Sequence, residues 1–279
     1  MHHTIPLLPK FYVTAPQPCP YLEGQLERKL FTSIQGNNAT KVNNILSKQG
    51  FRRSQNVLYR PACTNCTACL SARIDVKKFQ LSKTQRRVLK KNSNLKRHSG
   101  SPWATEAQYD LFRTYLDTRH ANGGMADMDI FEFAAMMEET SVTSQVTEYT
   151  TGVDTLEAVC LTDIFDDGVS LVYSFFNTDF PKKSLGTYII LDHIKIAQQS
   201  GLPYVYLGYW VPGSKKMSYK AQFKGVEVFY NKSWISIEQY EAFLSKGNST
   251  APMPLAAQVA EISMPNTTHI PHPYCPVTW

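Results

Sequence analysis

The sequence lacks any apolar run approaching the roughly 20 residues that a helix needs to cross a bilayer. Its start, Met1–Lys10, has neither the basic nor the apolar stretch of a secretory signal. It also lacks an internal repeat and any recognisable Ser-His-Asp or Cys-His motif for covalent catalysis. These absences predict a cytoplasmic protein with no membrane partner, and they exclude a repeat array.

The composition is that of a folded chain with a modest positive charge. The 279 residues are 43% hydrophobic and 12% aromatic, enough apolar surface to offset the entropy lost on folding. Lys and Arg number 29 against 23 Asp and Glu, a net charge of +6. This is a mild preference for anionic partners, so the distribution of charge is more informative than its total.

The patterning divides the chain into four parts. Residues 1–80, irregular and rich in turn residues, are predicted to form a small cysteine-containing N-terminal domain. Residues 81–104 read as a basic connecting segment, and helical and strand periodicities follow over 105–245. Residues 246–279 have sparse apolar positions among Gly, Asn, Ser, Thr and Pro, which predicts a mobile tail.

Within the regular part the predicted order is helix, helix, hairpin, helix, strand, short helix, strand. The hairpin signal is strong, because the apolar runs 159–165 and 169–176 flank a turn at 166–168. A helix over 185–199 ends at Gly201. This is the succession of a GNAT-type acyltransferase domain, in which two central strands splay and admit an acyl donor, although other α+β domains share parts of it. The predicted fold class is α+β, with a GNAT-type domain following the N-terminal one.

Four cysteines of the N-terminal part form the first candidate site. Cys63, Cys66 and Cys69 recur at intervals of three, and Cys19 lies upstream between two prolines. Thiols at this spacing suit zinc or an iron–sulfur cluster, because a local turn can bring several sulfurs to one ion. The alternative is a set of small buried side chains in a tight loop.

The segment from Lys83 to His98 contains seven Lys and Arg and no acid. If its first part is helical, several cations share a face with the spacing of a phosphate backbone. The alternative is an ordinary solvated helix face. The lack of a compensating carboxylate favours phosphate binding, for which the candidates are Lys83, Arg86, Arg87, Lys90 and Lys91.

Two shorter motifs complete the candidates. Lys183, Gly186 and Thr187 lie at a predicted helix start, where free N–H groups and the positive helix end suit an anion or a carbonyl oxygen. Arg119 and His120 precede a glycine pair and are suited to bind a carboxylate. The alternatives are a plain helix start and a helix C-terminus whose cations meet the last carbonyls.

A series of sequence phrases, in order and similarly spaced from about residue 11 to residue 240, resembles the bacterial branch of the arginyl-tRNA–protein transferase family. The longest reads Gly-Leu-Pro-Tyr-Val-Tyr-Leu-Gly-Tyr-Trp at 201–210. The phrases lie at 11–16, 18–22, 27–32, 50–55, 59–63, 119–120, 161–163, 172–176, 184–188 and 201–210.

The resemblance implies an aminoacyltransferase that conjugates leucine from leucyl-tRNA to N-terminal Asp or Glu of proteins, in the N-end rule degradation pathway. Its expected partners are leucyl-tRNA and proteins with those N-termini. An aminoacyl ester is already activated, so the acceptor's α-amine can attack it directly. We therefore expect transfer to require no cofactor, and zinc or an iron–sulfur cluster at the cysteines to be separate from the chemistry.

The candidate residues then take roles. Asp163, on a central strand, is the candidate for positioning or deprotonating the amine; the alternative is a hydrogen bond at the strand edge. Tyr173 and Tyr209 are candidates for orienting the ester or stacking on the terminal adenine, although strand aromatics are more often core. The expected donor-binding residues are Lys83, Arg86, Arg87, Lys90, Lys91, Lys183, Gly186 and Thr187, and the acceptor-binding residues Arg60, Arg119 and His120.

Two other functions remain open at this point. One is a coenzyme A-dependent N-acetyltransferase of the same fold, against which the bulky Tyr188 at the helix start and the basic segment both speak. The other is a non-catalytic RNA-binding protein organised by a metal at the cysteines.

Overall fold

A computed structural model describes residues 9–121, 123–152, 155–180, 183–247 and 251–264. The strands are β1 Tyr12–Val13, β2 Gln17–Pro18, β3 Leu26–Glu27, β4 Lys29–Ser33, β5 Arg52–Ser54, β6 Val57–Pro61, β7 Leu70–Asp75, β8 Lys96–Gly100, β9 Ser144–Thr151, β10 Thr155–Ile164, β11 Gly168–Phe176, β12 Tyr204–Trp210, β13 Val226–Tyr230 and β14 Ser233–Ser236. The helices are α1 Ala39–Ser47, α2 Lys83–Lys91, α3 Glu106–Arg119, α4 Ile130–Glu138, α5 Leu185–Gln199, α6 Ile237–Ser245 and α7 Leu255–Ala260, with a 3-10 helix at Ser218–Gln222.

Eight strands form the central sheet, in the order β14-β13-β7-β12-β11-β10-β9-β8. Side chains alternate across it, as the two-residue period of a strand requires. On β10, Cys160 faces the core under α2 and α5, whereas Val159 and Leu161 face α3 and α4. Both faces are therefore covered by helices, and no helix in the described ranges is long and apolar enough to span a membrane.

At the centre of the sheet β11 and β12 run parallel, whereas the other described pairs of this sheet are antiparallel. The two strands are in register only from Gly168 opposite Tyr204 to Ser170 opposite Tyr206, and they separate beyond that point. Helix α5 connects them and packs against both. Splayed central strands of this kind confirm the predicted α+β fold class with a GNAT-type domain.

The N-terminal part has a four-stranded sheet, β1-β4-β6-β5, which packs with α1 around Leu30, Leu46 and Leu58. The predicted boundaries at residues 80 and 104 differ from the structure. Strand β7 lies inside the central sheet between β12 and β13, and β8 pairs with β9 at its far edge. Helix α2 packs on α5 instead of connecting two domains. The sequence conceals this because strand pairing joins residues far apart in the chain.

The prediction of a mobile tail is wrong for residues 251–264. Leu255, Ile262 and Met264 pack against the N-terminal apolar cluster. The Gln49 side chain also pairs with both backbone groups of Ser263, at 2.8 and 2.9 Å. A few apolar residues at suitable spacing are enough to anchor this segment, although its composition is that of a loop. The rest of the predicted tail, apart from 246–247, lies outside the described residues.

Most predicted local elements are confirmed, including the β10–β11 hairpin, α5, β12 and β13. The short helix expected around 216–223 is a 3-10 helix. Strand β9 and helix α6 were not predicted. Both alternate apolar with polar residues, so they lack the continuous apolar run that marks the inner strands.

Candidate active site

A cavity of about 1100 Å³ opens where β11 and β12 separate. Its wall combines the ends of these strands with the first turn of α5, the α3–α4 connection and residues of the N-terminal sheet. Its apolar lining residues include Met125, Met128, Met136, Leu161 and Phe176. Five cations also line it, against a single carboxylate, Glu132, among the described wall residues. The cations are Arg52, Arg53, Arg119, Lys216 and Lys220.

Arg52 fills the gap between the separated strands. Its Nη2 donates to the carbonyl oxygen of Leu171 at 2.9 Å and lies 3.2 Å from that of Val172. These carbonyls have lost the parallel partner strand, so the guanidinium satisfies them. Gly208 opposite has φ +82°, and a Cβ there would meet the Arg52 guanidinium. The left-handed backbone favours glycine at this position, and the missing Cβ leaves room for the arginine where it lies.

Lys220 forms another part of the wall and was missed in the sequence. It is 4% exposed, and its Nζ donates to the carbonyl oxygen of Tyr209 at 2.6 Å. Burial, with a smaller contribution from the charge of Arg52, lowers the pKa of Lys220 to about 7. One local signal could have found it, because Met217, Lys220 and Phe223 recur at the three-residue spacing of a 3-10 helix face.

Both tyrosines predicted to act in catalysis contribute to the wall. Tyr173 packs edge-on against Phe112, with ring centroids 6.0 Å apart, and burial raises its pKa. Tyr209 is almost fully buried, and its hydroxyl lies 3.0 Å from the carbonyl oxygen of Tyr59 and 3.2 Å from that of Gly50. That hydroxyl therefore links the central sheet to the N-terminal part, while the ring borders the cavity.

Asp163 lies outside the cavity wall, contrary to expectation. Its two oxygens each accept a 2.6 Å hydrogen bond from the Arg53 guanidinium, and Oδ1 accepts another from Ser144 at 2.7 Å. The side chain is 1% exposed. A carboxylate bonded in this way and closed to solvent cannot reach an amine in the cavity, so the geometry assigns Asp163 a structural role, close to the alternative of strand-edge bonding.

The structure separates the three residues expected to bind the acceptor. Arg119, at the end of α3, and His120 both line the cavity. Burial, then the charges of Lys216 and Arg119, lower the pKa of His120, which favours its neutral form. Arg60 instead stacks over the Phe51 ring at 4.9 Å and donates to the carbonyl oxygen of Gln258 at 2.9 Å. Because the C-terminal segment covers it there, Arg60 is not part of this site.

The donor candidates at the helix start divide in the same way. Gly186 and Thr187, in the first turn of α5, line the cavity. Lys183 is not a wall residue; its Nζ forms an ion pair with Glu157 at 3.0 Å. Gly186 also allows close packing, since a Cβ there would lie 3.0 Å from the Phe176 ring.

The basic segment forms α2, as predicted. The helix begins after Ser82, whose hydroxyl and the Gln85 side chain form a capping box. Gln85 and Val88 face inward, while the predicted cations are exposed. No described acid forms an ion pair with Lys83, Arg86, Arg87 or Lys90. At the end of α2, the Asn92 side chain donates to the Lys183 carbonyl oxygen at 2.8 Å, next to the first turn of α5.

The four N-terminal cysteines are half-buried free thiols. Burial, then the neighbouring Cys63, Cys19 and Cys66, raises the pKa of Cys69 to about 12, so the four lie near one another. Within the described ranges, however, no three His, Cys, Asp or Glu side chains are arranged to hold a metal ion. As placed, the four thiols lie close together without forming the ligand set of one ion. The metal stays a prediction, to be decided by elemental analysis of wild-type and Cys66→Ala protein.

Comparisons with known proteins match both parts of the chain. The profile described as "Arginine-tRNA-protein transferase, N terminus" matches residues 17–87, and "Arginine-tRNA-protein transferase, C terminus" matches residues 107–230. Aspartate/glutamate leucyltransferase of Cereibacter sphaeroides (strain ATCC 17029 / ATH 2.4.9) is 62% identical over 95% of this chain and 96% of its own length. The protein of that name from Ruegeria sp. (strain TM1040) is 58% identical over 96% and 98%. The solved structure of L-PGS from Bacillus licheniformis covers 72% of this chain and 68% of its own, with 10% identity and a TM-score of 0.45.

Proposed function

Since the chain belongs to the arginine-tRNA-protein transferase family, we propose that its cavity joins leucine from leucyl-tRNA to the N-terminal Asp or Glu of a protein. The observation that carries this proposal is the mixed lining of the cavity, which combines apolar side chains with an excess of cations. An aliphatic donor side chain and an acidic acceptor side chain require these two kinds of lining. Charged tRNA is a cytoplasmic substrate, so the reaction takes place there, within the N-end rule degradation pathway.

The leucyl group of the donor contacts the apolar lining residues of the cavity. Met125, Met128 and Met136 offer flexible, polarizable side chains that adapt to the branched leucyl group. The methionine side chains offer no ion-pair partner to a guanidinium, as in an arginyl donor, and Glu132 is the one carboxylate among the described wall residues. The first-turn amides of Gly186 and Thr187 are suited to the ester carbonyl, since they lie at the positive end of α5.

The tRNA body reaches the same entrance along α2. The hydrogen bond between Asn92 and the backbone of Lys183 joins the end of α2 to the start of α5. Phosphates bound by the exposed cations of α2 therefore lie on a path that leads to the cavity. Lys183 itself, neutralised by Glu157, is proposed to position this connection and not to contact phosphate.

The acceptor's acidic side chain binds at the cationic rim, where Arg119 and Lys216 flank His120. A carboxylate that leaves water needs a compensating cation, and a guanidinium offers two parallel hydrogen bonds. This arrangement orients the α-amine toward the interior. Tyr173, farther along the wall, is proposed to orient the ester.

The runner-up, coenzyme A-dependent acetyl transfer, is disfavoured by Tyr188. The Tyr188 ring packs edge-on against Tyr149, with centroids 5.5 Å apart. Tyr188 is the fourth residue of α5, and a loop that binds the coenzyme A pyrophosphate needs a small residue at that position. Acetyl-CoA also has no use for the cations of α2.

A donor-by-acceptor assay tests the proposal. Purified protein is incubated with labelled leucyl-tRNA, arginyl-tRNA or acetyl-CoA and with peptides that begin with Asp, Glu, Asn or Ala. We expect leucine on the Asp and Glu peptides alone. Acetylated peptide would establish the runner-up, and tRNA binding without any transfer would establish the non-catalytic alternative.

A further inference from the structure

Among the buried cations that the structure describes, Lys220 differs in having no described counter-charge. Arg53 is paired with Asp163, and Arg73 with Glu227 at 3.0 Å. No described carboxylate forms an ion pair with Lys220, which has the backbone oxygen of Tyr209 as its hydrogen-bond acceptor. A buried ammonium without an acid is unstable relative to the neutral amine, so this position favours a lysine that gives up its proton.

The surroundings of Lys220 have the same effect. It faces Arg52 from β5 and Tyr209 from β12, and the ring of Tyr219, on its own helix, is centred 5.8 Å from its Nζ. The carboxylate of the described wall, Glu132, belongs to α4 and forms no described ion pair with Lys220. Burial first and Arg52 second lower the pKa of Lys220 to about 7. An α-amine in water has a pKa of about 7.7–8.0, so donor and acceptor of a proton would be closely matched.

We propose that Lys220 is a catalytic residue that carries the proton of the aminoacyl transfer from the attacking α-amine to the leaving oxygen of the tRNA. This inference rests on the proposed function. The neutral α-amine attacks the ester carbonyl carbon and forms the C–N bond. Neutral Lys220 Nζ takes the proton from the new ammonium centre and delivers it to the tRNA 3′ oxygen as the C–O bond breaks. The products are the amide and the free 3′ hydroxyl, and Lys220 returns to its neutral form.

Two substitutions separate proton transfer from charge and packing. Lys220→Met keeps the length of the side chain but cannot bind a proton, and Lys220→Arg keeps the charge but cannot release one. Single-turnover rates of leucine transfer to an Asp-starting peptide are measured across pH. Wild-type transfer should accelerate as pH rises through about 7 and on through the pKa of the α-amine. Both variants should be slower by about 100- to 1,000-fold and should keep only the rise that the α-amine itself produces at about 7.7–8.0. Lys224→Met, an exposed lysine four residues further along, should behave as wild type.

Chemical rescue provides a second readout that packing alone would not produce. Lys220→Ala is assayed with added small primary amines, and the restored rate should vary with the pKa of the amine. Filter binding of leucyl-tRNA should stay within about twofold of wild type for every variant, since none changes the tRNA-binding surface.

The outcomes are distinct. The Lys220 proposal alone is overturned if the wild-type protein transfers leucine and either Lys220→Arg or Lys220→Met does so within about threefold of the wild-type rate. Rescue that is independent of amine pKa also overturns it. Failure of the wild-type protein to transfer leucine at all overturns the proposed function, and the Lys220 proposal with it.

Discussion

The cations on α2 and those around the cavity use positive charge differently. On α2, Lys83, Arg86, Arg87 and Lys90 are exposed, and none has a described ion-pair partner. Three cations of the cavity wall are, by contrast, bonded to particular atoms: Arg52 to β11 carbonyls, Arg53 to Asp163 and Lys220 to Tyr209. Solvent and salt screen the first group, whereas the low dielectric of the interior strengthens the second. The exposed cations of α2 therefore act together through their total charge, whereas each bonded cation of the cavity wall acts through its own partner.

The largest effect should follow from separating Arg53 from its carboxylate. Asp163→Asn leaves a buried guanidinium without a counter-charge, and we expect the free energy of unfolding to fall by about 3–5 kcal/mol. Urea unfolding measures it. The control is Asp166→Asn, which removes an exposed partner of Lys48 and should cost about 0–1 kcal/mol. A folded Asp163→Asn protein that transfers leucine about a hundredfold more slowly would instead favour the catalytic role for Asp163.

The unpaired Lys220 should give the opposite response. Its pKa is about 7 in the folded protein and 10.5 in the unfolded chain, so the unfolded state binds more protons between these values. Wild-type stability therefore gains from Lys220 as pH rises through this window. Lys220→Met should be more stable than wild type near pH 7, with its advantage shrinking by at most about 1.4 kcal/mol per pH unit as pH increases. An advantage that does not change with pH would mean that Lys220 stays charged in the fold.

Arg119 at the rim tests an intermediate environment, exposed yet directed at a ligand. Arg119→Ala should raise the KM for Asp- and Glu-starting peptides about tenfold, the loss of one charge-assisted hydrogen bond. Peptides that begin with Asn serve as the control, because they lack the carboxylate. Unchanged preference for acidic over amide acceptors would remove Arg119 from acceptor recognition.

Substitutions of the exposed cations on α2 should have the smallest effect on stability but should clearly weaken tRNA binding. Replacing Arg86 and Arg87 with Ala should weaken tRNA binding and flatten the plot of log affinity against log salt by somewhat under one unit for each arginine. The free energy of unfolding should change by about 0.5 kcal/mol or less. A Lys41→Ala, Lys246→Ala double variant removes two exposed charges elsewhere and should keep the original slope. An unaltered slope in the arginine variant would return α2 to an ordinary solvated face.

Elements that depend on neighbouring residues were predicted correctly from the sequence, whereas strands that pair with distant parts of the chain were not placed in the right sheet. The β10–β11 hairpin was visible from its turn at 166–168 and α2 from its charges, since both depend on adjacent residues. Strand β7 was read as part of a separate domain because its partners lie far along the chain, with Arg73 opposite Tyr206.

The candidate site was predicted in part for the same reason. Arg119, His120, Tyr173, Tyr209, Gly186 and Thr187 meet at one cavity. Asp163 was predicted as the residue that positions or deprotonates the amine, whereas Lys220, in the lysine-rich stretch 214–224, was missed. What distinguishes them is the presence of Arg53, 110 residues from Asp163, and the lack of such a partner for Lys220.

The position of strand β7 constrains how the two matched regions can evolve. This strand belongs to the N-terminal match but is an inner strand of the sheet that carries the C-terminal match, between β12 and β13. A polypeptide that began at residue 107 would bare the edges of both neighbours, and open edges recruit other chains into aggregates. The two regions are therefore not interchangeable modules. A recombination event that exchanged one region without the other would disrupt the shared sheet, so the two are expected to be inherited together.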